Sequence, residues 1–437
     1  MSKMRRKIVE FIVCGVMFAA LFAASSKIFA QDSAQNIVPN EIVVKLNRAA
    51  DLAAVAAQYG LSATPIDQFS GTAIYRLQVL NGGSVAQIVQ MLRSDTNRIA
   101  YADPNYIVGT PNSSSVPWSL GGSWSIGGSW SIGGSVKGSA KQWMGKRINL
   151  AAAHQISKGA NVKVAVLDTG IDLTHPLFAG KLLPGRDFVD NDNDPSEIGA
   201  PNVGAYGHGT HVAGIVAMIA PEAKIMPIRV LDANGVGNIW RLAQALNYAA
   251  NPDGNPATND GADVINLSLG TIERTNLVTN LLDAVGAPPQ SPHRPPGEFP
   301  NIEDPNIVVT AAAGNTGDST KIYPAAETVR GLLAVGASNN ADMLASFSTR
   351  GSWVQIAAPG ERIVSAVPGG RYGVWRGTSM AAPIVAGIAA LVKAKHPTLE
   401  ADQIIQKIRA GAITLSGSTI KRVDAAAALT IPTPPAP

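Results

Sequence analysis

Residues 377–383 read Gly377-Thr378-Ser379-Met380-Ala381-Ala382-Pro383, and an apolar stretch of helical periodicity follows them. The pattern predicts that Ser379 lies at the start of a buried helix. Unpaired backbone N–H groups and the positive end of the helix dipole converge there. Such a position suits a hydroxyl that becomes a nucleophile and an oxygen that must carry negative charge. A serine that only caps the helix is the commoner cause of this pattern, so the rest of the chain has to decide.

The composition is that of a glycine-rich globular chain with few charges. The chain has 437 residues, more than one average domain, and 46% of them are hydrophobic while 15% are charged. This composition excludes a disordered or collagen-like chain. The net charge is only +4 and no basic cluster carries interleaved aromatic residues, so no nucleic-acid partner is expected. Cys14 is the single cysteine, so a form without the N-terminus has no disulfide and no thiol nucleophile.

The N-terminus has the layout of a secretory signal peptide over residues 1–30. Basic residues precede an apolar stretch from Phe11 to Ala24, and Ala30 precedes a polar segment. The apolar stretch is short for a membrane span, which needs about 20 residues. We therefore expect a secreted or periplasmic protein with no stable membrane span after signal removal. An uncleaved membrane anchor is the alternative.

Residues 31–110 predict a small α+β domain with the element order of a ferredoxin-like sandwich. Helical patterns follow Asp51 and Ser84, and the last strand pattern contains a proline that is typical of an edge strand. The domain carries no polar constellation, so we expect it to bind or to assist folding. Its alternating strand patterns lie at 41–46, 73–79 and 99–106.

A Gly/Ser-rich segment occupies residues 111–146, and motifs related to Gly-Gly-Ser-Trp-Ser-Ile recur around Trp118, Trp124 and Trp130. Such a composition is typical of a flexible linker. Aromatic residues at fixed spacing would also suit docking in an extended groove, so both interpretations stay open.

Residues 147–431 predict one large α/β domain. Apolar strands that alternate with helices are typical of a mostly parallel sheet covered by helices on both faces. In such sheets, functional sites form beyond the carboxyl ends of the strands. A proline-rich surface insertion is expected at 286–306 and a loose tail at 432–437. Strands are predicted at 162–167, 223–231, 263–269, 307–312 and 332–335, and helices at 208–219, 239–250, 276–285, 379–395 and 399–410.

Four polar residues stand at the ends of apolar elements in this domain. Asp168 and Asn315 end strands, and His208 and Ser379 begin helices. These are rigid places for reactive groups. A hydroxyl can be activated as a nucleophile by an imidazole that takes its proton, while a carboxylate orients the imidazole. A side-chain amide can donate a hydrogen bond to the oxyanion.

Each of these residues has another interpretation. Asp168-Thr169-Gly170 resembles the tripeptide of aspartic proteases, which need two such aspartates, and the sequence has no second one. His208 and His211 have the spacing of zinc ligands, but no glutamate lies beside them and no third ligand is evident. Asn315 after a glycine is an ordinary turn pair. The coincidence of all four residues at element ends favours catalysis.

Three segments resemble the signature blocks of the subtilisin-like serine proteases (subtilases). They are Asp168–Gly170, His208–Gly214 and Gly377–Pro383, in the family's Asp, His, Ser order. Residues 264–270 and 312–315 resemble two further family segments. The resemblance covers nearly all of 147–431 and implies a subtilisin-like fold. It also implies that residues 31–110 are a propeptide that acts as intramolecular chaperone and inhibitor.

The resemblance assigns a role to each of the four residues. Asp168 would orient and stabilise the imidazolium, and His208, rather than His211, would be the general base and then the general acid. Ser379 would be the nucleophile that forms an acyl-enzyme. Asn315 would donate its side-chain amide to the oxyanion, together with the backbone N–H of Ser379.

The resemblance also implies the walls of a substrate groove. One wall should pair with extended substrate as an added strand and is formed by Ser268, Leu269 and Gly270. Both walls should enclose the side chain before the scissile bond, and the second is formed by Ala312, Ala313 and Gly314. Neither wall carries a charged residue, so we expect a preference for a neutral or apolar side chain.

An acidic loop at 187–195 is a candidate calcium site, with Asp187, Asp192 and Asp194 as the expected ligands. Carboxylates this close repel each other unless a cation or water compensates. The loop is not an EF-hand, because Pro195 stands at the position of the turn glycine. Some members of the resembled family bind calcium here, so a structural calcium ion and a solvated acidic turn both stay open. No cofactor is expected to be required for the chemistry.

These observations predict a secreted serine endopeptidase, made as a self-processing zymogen, that acts on protein or peptide substrates. Its own propeptide would be its intramolecular inhibitor. The alternative is a catalytically silent, protease-like binding or surface protein that acts through its tryptophan repeats. The intact set of four polar residues argues against that alternative.

Overall fold

The computed structural model describes residues 36–110 and 142–432, except 70, 81, 202–203, 256, 287–297, 301 and 303–305. The predicted signal peptide and the tryptophan repeats lie outside the described residues. So do most of the predicted insertion at 286–306 and most of the predicted tail.

The N-terminal unit is an antiparallel sheet packed against two helices. Its elements are β1 (Ile37–Leu46), α1 (Leu52–Tyr59), β2 (Asp67–Gln68), β3 (Ile74–Gln78), α2 (Val85–Ser94) and β4 (Ile99–Gly109). The strand order β2-β3-β1-β4 is that of a ferredoxin-like sandwich. This confirms the fold predicted for the unit, to which the structure adds β2. A strand of two residues is too short to show alternation in the sequence.

The helix ends in this unit follow from local chemistry. Helix α1 ends at Gly60, which has a left-handed φ of +68°. Glycine adopts this conformation without a Cβ clash. Helix α2 begins at Ser84, whose hydroxyl accepts a hydrogen bond from the Gln87 N–H. Its apolar residues recur at helical spacing and are buried against the sheet: Val85, Ile88, Val89 and Leu92.

The predicted edge position of strand β4 is confirmed where its proline lies, because the predicted residues 99–106 pair with β1 alone among the described strands. Beyond them, Ile107–Gly109 pair with a short strand, Val236–Asn238, of the C-terminal unit. Pro104 pairs with Ile42 beside a shift in the β1–β4 register, where a missing N–H is tolerated. The partner on the second side lies more than a hundred residues away in sequence, so local patterns could not show it.

The C-terminal unit is an α/β domain. In chain order, its first elements are α3 (Trp143–Arg147), α4 (Leu150–His154), β5 (Lys163–Asp168), β6 (Arg186–Asp187), α5 (His208–Ile219), β7 (Lys224–Arg229), β8 (Val236–Asn238), α6 (Ile239–Ala250), β9 (Val264–Leu267), α7 (Asn276–Gly286) and β10 (Val308–Ala312). They are followed by β11 (Leu332–Ser338), β12 (Ile356–Pro359), β13 (Ile363–Val367), β14 (Arg371–Trp375), α8 (Thr378–Lys395), α9 (Ala401–Ala410), β15 (Ile413–Thr414), β16 (Lys421–Arg422) and α10 (Ala425–Thr430).

The large sheet has the strand order β15-β16-β12-β11-β10-β9-β5-β7-β6. All of its pairs are parallel except β15 with β16. Strand β5 shows how helices cover both faces, because successive side chains of a strand point to opposite sides. Val164 and Val166 belong to the core on the side of α5 and α8, whereas Ala165 and Leu167 belong to the core that contains α6 and α7. The predicted two-sided coverage of a mostly parallel sheet is confirmed.

Helix α8 is long and apolar enough to cross a membrane, but 83% of that stretch is buried inside the protein. It packs closely on α5, because a Cβ at Gly387 would lie only 2.5 Å from the Cβ of Ile219. The absence of a side chain at Gly387 therefore lets α8, with Ser379 in its first turn, approach α5, which begins at His208.

The antiparallel β13–β14 hairpin stands outside the large sheet and carries Trp375 at its end. The side-chain amide of Gln142 holds it by accepting from Val364 N at 2.9 Å and donating to Val364 O at 2.7 Å. Sequence patterns did not predict this hairpin, since its anchor lies more than two hundred residues earlier.

Candidate active site

Asp168 is the last residue of β5, which lies between β9 and β7 in the sheet, and its carboxylate faces the first residue of α5. Its Oδ1 lies 2.7 Å from His208 Nδ1 and accepts a hydrogen bond of 2.8 Å from Thr169 N. Both side chains are only 1% exposed. This carboxylate–imidazole contact brings together two of the residues that the sequence singled out.

A glycine makes this contact geometrically feasible. A Cβ at Gly209 would lie 2.0 Å from the carbonyl oxygen of Gly170 and 3.2 Å from the Cβ of Asp168. Any larger residue would push the start of α5 away from the end of β5. The glycine in the His208–Gly209 pair therefore sets the approach of the imidazole to the carboxylate.

Ser379 lies in the first turn of α8, where Pro383 changes the helical hydrogen bonding. A regular helix would use the N–H of residue 383 to bond the Ser379 carbonyl, but proline has none. The freed carbonyl accepts from Ser268 Oγ at 2.9 Å, and Ser379 Oγ donates to the Ser268 carbonyl at 3.3 Å. These two contacts join the serine to the predicted substrate-binding segment.

The hydroxyl of Ser379 is directed to Ser268 in this structure, not to the imidazole. Among the described residues, His208 Nε2 has no hydrogen-bond partner. Hydrogen bonds between nucleophile and base are often absent in structures without substrate and form in the reactive complex. The free Nε2 is the nitrogen that a tautomer with Nδ1–H on Asp168 leaves as an acceptor.

Asn315 follows β10, and its carboxamide is oriented by Thr378. Its Oδ1 accepts from Thr378 N at 2.9 Å and from Thr378 Oγ1 at 3.0 Å. Because this atom accepts two hydrogen bonds, it is the carboxamide oxygen, and the other end of the carboxamide is the NH₂ group. A Cβ placed on Gly377 would lie 3.3 Å from this Nδ2 and 3.7 Å from the backbone nitrogen of Ser379. A donor group thus faces the start of α8.

The chain's own β4 lies in the groove that was predicted for substrate. Gly109 and Gly270 exchange two backbone hydrogen bonds of 3.0 Å, and Thr110 N donates to Gly235 O at 2.9 Å. On its other edge, β4 pairs with β8, with Val108 opposite Gly237. Gly270, the last residue of the predicted segment Ser268–Gly270, therefore pairs with an added strand, and β8 forms an opposite edge that the sequence did not predict.

The second predicted wall lies at the end of β10. Gly314 N donates to Thr378 Oγ1 at 3.0 Å, which connects this wall to the start of α8. Ala312 and Ala313 are buried, and Ala313 packs in a small cluster with Val354 and Ala357. The structure therefore places Gly314 beside Thr378, the residue before Ser379, and directs Ala313 into the core.

His211 is a core residue. Its Nε2 lies 3.2 Å from Ile363 O and 3.3 Å from Gly373 O, and its ring stacks on Trp375 with centroids 4.6 Å apart. Trp375 also stacks on His208 at 6.0 Å; sequence reasoning missed this tryptophan, since a lone aromatic residue carries no motif. In the part of the chain that the structure describes, no group of three or more His, Cys, Asp or Glu could hold a metal ion. The zinc interpretation has no support there.

The acidic loop does not fit a calcium ion in this structure. Arg229 Nη1 contacts both Asp187 Oδ2 and Asp190 Oδ2 at 2.5 Å, so a buried guanidinium supplies the positive charge. Asp192 Oδ1 accepts from Asp194 N at 2.9 Å, and Asp194 accepts from Ser196. The three expected ligands therefore have other partners and do not converge.

The family model described as the subtilase family matches residues 159–426. The chain belongs to the subtilase family. A second model, the fervidolysin N-terminal prodomain, matches residues 23–105 of this subtilase. The N-terminal unit is therefore a prodomain, and the protein is a serine-type endopeptidase by family.

Curated relatives and a solved structure agree with this assignment. The subtilase is 35% identical to a thermophilic serine proteinase of Bacillus sp. (strain AK1), over 76% of this chain and 72% of that one. It is 37% identical to thermitase of Thermoactinomyces vulgaris, over 58% of this chain and 82% of that one. The crystal structure of fervidolysin from Fervidobacterium pennivorans superposes with a TM-score of 0.70 at 24% identity and covers 92% of this chain. The chain spans 62% of fervidolysin, and at this identity the likeness shows the fold alone.

Burial gives His211 a defined effect on acid stability. It lowers the pKa of His211 to about 3, whereas an unfolded histidine titrates near 6.5. Below about pH 6.5 the unfolded chain thus binds a proton that the folded chain does not, which costs about 1.4 kcal/mol of stability per pH unit. Between pH 7 and pH 5, the free energy of unfolding of His211→Gln should therefore fall by about 2 kcal/mol less than that of the parent protein. Urea unfolding in a Ser379→Ala background, which prevents autolysis, measures this. Identical pH dependence in both proteins would show that His211 is protonated in the folded state.

The ion pairs of Arg229 also predict how the protein responds to calcium removal. Because the guanidinium already compensates Asp187 and Asp190, a chelator should leave the melting temperature of the Ser379→Ala protein unchanged. Arg229→Gln should lower it, since breaking a buried charge pair costs about 3–5 kcal/mol. A clear drop in melting temperature after dialysis against EDTA, reversed by added calcium, would instead support the calcium site expected from the sequence.

Proposed function

We propose that this subtilase is a secreted, self-processing zymogen that hydrolyses peptide bonds through Asp168, His208 and Ser379. The observation that carries the proposal is the buried contact of 2.7 Å between Asp168 and His208, beside a groove that holds an extended strand of the same chain. Similarity to serine proteinases supports the reaction class. The signal-peptide pattern at residues 1–30 supports secretion.

The chemistry follows from the orientation of each group. With Nδ1–H donated to Asp168, His208 Nε2 accepts the hydroxyl proton as Ser379 Oγ attacks the carbonyl carbon. The oxyanion accepts hydrogen bonds from Asn315 Nδ2 and Ser379 N–H. The C–N bond then breaks and His208 gives its proton to the leaving amine, which leaves an acyl-enzyme. Water attacks this ester with His208 again as base, and the acid product leaves Ser379 free.

The position of β4 supports inhibition by the prodomain. Its last residues pair with Gly270 and β8 as an extended peptide substrate would, through backbone groups on both edges. A second peptide cannot use the same hydrogen bonds while this strand is present. Cleavage of the chain in the 107–147 region would separate the prodomain from the enzyme. Neutral or apolar side chains are the preference we propose before the scissile bond.

A catalytically silent protein that binds through its tryptophan repeats is not favoured. Such a scaffold would have no use for a buried Asp168–His208 pair or for an amide oriented by Thr378. The tryptophan repeats lie outside the described residues, so no contact of theirs supports that alternative.

Fluorophosphonate labelling and peptide hydrolysis test the proposal directly, because the label reacts only with an activated serine. The secreted wild-type protein should label, hydrolyse peptides and have a new N-terminus within residues 107–147 by mass spectrometry. Ser379→Ala should do none of these and should stay full length. A wild-type protein that neither labels nor cleaves, even after removal of its N-terminal unit, would refute the proposal.

We expect a contact made by Asp103 of the prodomain to strengthen inhibition of the enzyme. Its buried carboxylate accepts from Asn276 N at 2.8 Å, at the start of α7, and pairs with Arg93 at 2.7 Å. A carboxylate at a helix N-terminus is stabilised by free N–H groups and by the dipole. Losing a hydrogen bond to a charged group costs about 1.5–3 kcal/mol, so Asp103→Ala should shorten the lag before full-length protein becomes active.

The matched control for this experiment is Asp51→Ala, which removes a carboxylate whose partner is the exposed Arg48 of the same unit. It should leave the lag unchanged, and Asp103→Asn, which keeps an acceptor, should give an intermediate lag. Equal lags for Asp103→Ala and wild type would show that this contact does not hold the prodomain on the enzyme.

A further inference from the structure

Glu197 carries a carboxylate that the mechanism above does not use. The residue lies in the loop before α5 and is partly buried, but both of its oxygens contact buried donors. Oε1 accepts from Gly207 N at 2.8 Å and from Thr169 Oγ1. Oε2 accepts from Thr210 N at 3.0 Å and Thr210 Oγ1 at 2.5 Å. Among the described residues no Lys, Arg or His forms an ion pair with it.

The donors to Glu197 flank the catalytic pair. Thr169 directly follows Asp168, and Gly207 directly precedes His208, so the single oxygen Oε1 joins the end of β5 to the start of α5. Thr169 Oγ1 also accepts from Gly209 N at 2.9 Å, and Thr210 Oγ1 accepts from Asp172 N at 2.8 Å. The carboxylate is therefore the centre of a network that spans both elements.

We propose that Glu197 is a positioning residue for the Asp168–His208 pair. Its carboxylate holds the two elements at the spacing that the imidazole needs, and its negative charge favours the imidazolium that forms during catalysis. The inference rests on the function proposed above, because it assigns a role toward that same reaction.

The donor set explains why the carboxylate should be ionised when the enzyme works. All four hydrogen bonds come from N–H or O–H groups, so a protonated carboxyl would place a proton where an acceptor is needed. Burial is the main cause that raises the pKa of Glu197 to about 7, and the charge of Asp168 adds to it, while the hydrogen bonds from Thr169 and Thr210 oppose the shift.

The other charged and titratable groups around Glu197 belong to several elements. Tyr206 lies in the loop before α5 and its pKa is raised by burial and by Glu197. Asp172 follows β5, Arg371 belongs to β14, and both act on Tyr206. His208 contacts Asp168, and the charge of Asp168 acts on Glu197. Protonation of Glu197 would disturb the hydrogen bonds to Thr169 and Gly207, so it should contribute to the loss of activity at low pH.

Glu197→Gln keeps the size of the side chain, removes its charge and turns an NH₂ group toward an N–H donor. We expect kcat to fall about 10- to 100-fold with little change in KM, as for other residues that orient a functional imidazole. The acid limb of kcat/KM should move to lower pH and become less steep. The imidazolium loses a stabilising negative charge, and one group fewer takes up a proton.

Two variants separate charge from shape. Glu197→Asp keeps the charge on a shorter side chain, so it should lower kcat but leave the acid limb where it is in wild type. The matched control is Glu222→Gln, at a half-exposed glutamate paired with Lys158 at 3.6 Å. It should change neither kcat nor the pH profile.

The outcomes distinguish this inference from the proposed function. A wild-type protein without hydrolysis or labelling overturns the function itself. An active wild type beside a Glu197→Gln variant with unchanged kcat and pH profile overturns only the role of Glu197. So does a variant whose melting temperature alone falls, which would make Glu197 structural.

Thr169 provides a second route if Glu197→Gln does not yield folded protein. Thr169→Val removes the hydroxyl that links Asp168 to Glu197 and keeps the shape, whereas Thr169→Ser keeps the hydroxyl. The valine variant should lose kcat and shift the acid limb, and the hydroxyl kept in the serine variant should bring both back toward the wild-type values. Equal behaviour of these two variants would overturn the inference.

Discussion

The close approach of helix α5 to the end of strand β5 is the constraint on which the rest of this structure depends. It is permitted by a missing side chain, since a Cβ at Gly209 would lie 2.0 Å from the Gly170 carbonyl. The approach brings His208 to within 2.7 Å of Asp168 in a buried environment. Low dielectric surroundings strengthen such a contact and hold the ring in one tautomer. A parallel sheet with helices on both faces provides the rigid frame, because its strand ends and helix starts meet at one edge.

A second constraint joins the prodomain to the enzyme. Strand β4 belongs to the prodomain sheet through β1 and reaches the catalytic domain through β8 and Gly270. The backbone groups of the groove are satisfied by this strand, so the same hydrogen bonds that would select an extended peptide hold the prodomain in place. Asp103 and Asn105 add contacts at the starts of two helices, α7 and α6. In the proposed zymogen, association of the two units and occlusion of the groove are therefore one event.

Helices with strong apolar periodicity were predicted well. Helices α5 and α6 have the bounds expected from the sequence, 208–219 and 239–250, because their patterns and their end residues are local. Strand β9 ends at Leu267, two residues before its predicted end, since Ser268–Gly270 leave the sheet and Gly270 pairs with Gly109. Strand β8 and the β13–β14 hairpin were not predicted. Short strands gain their stability from partners distant in the chain, such as β4 and Gln142.

The sequence by itself determined the family and singled out four polar residues at element ends, Asp168, His208, Asn315 and Ser379. Glycines that permit close approach, helix starts and strand ends are properties of neighbouring residues, so they leave motifs that can be read along the chain. Only the tertiary structure decided which partners those residues have. Trp375 stacks on two imidazoles, Arg229 compensates the acidic loop, and Glu197 bridges Thr169 and Gly207. The physical reason is that each contact joins side chains from separate elements, and their meeting depends on how the whole sheet and its helices pack.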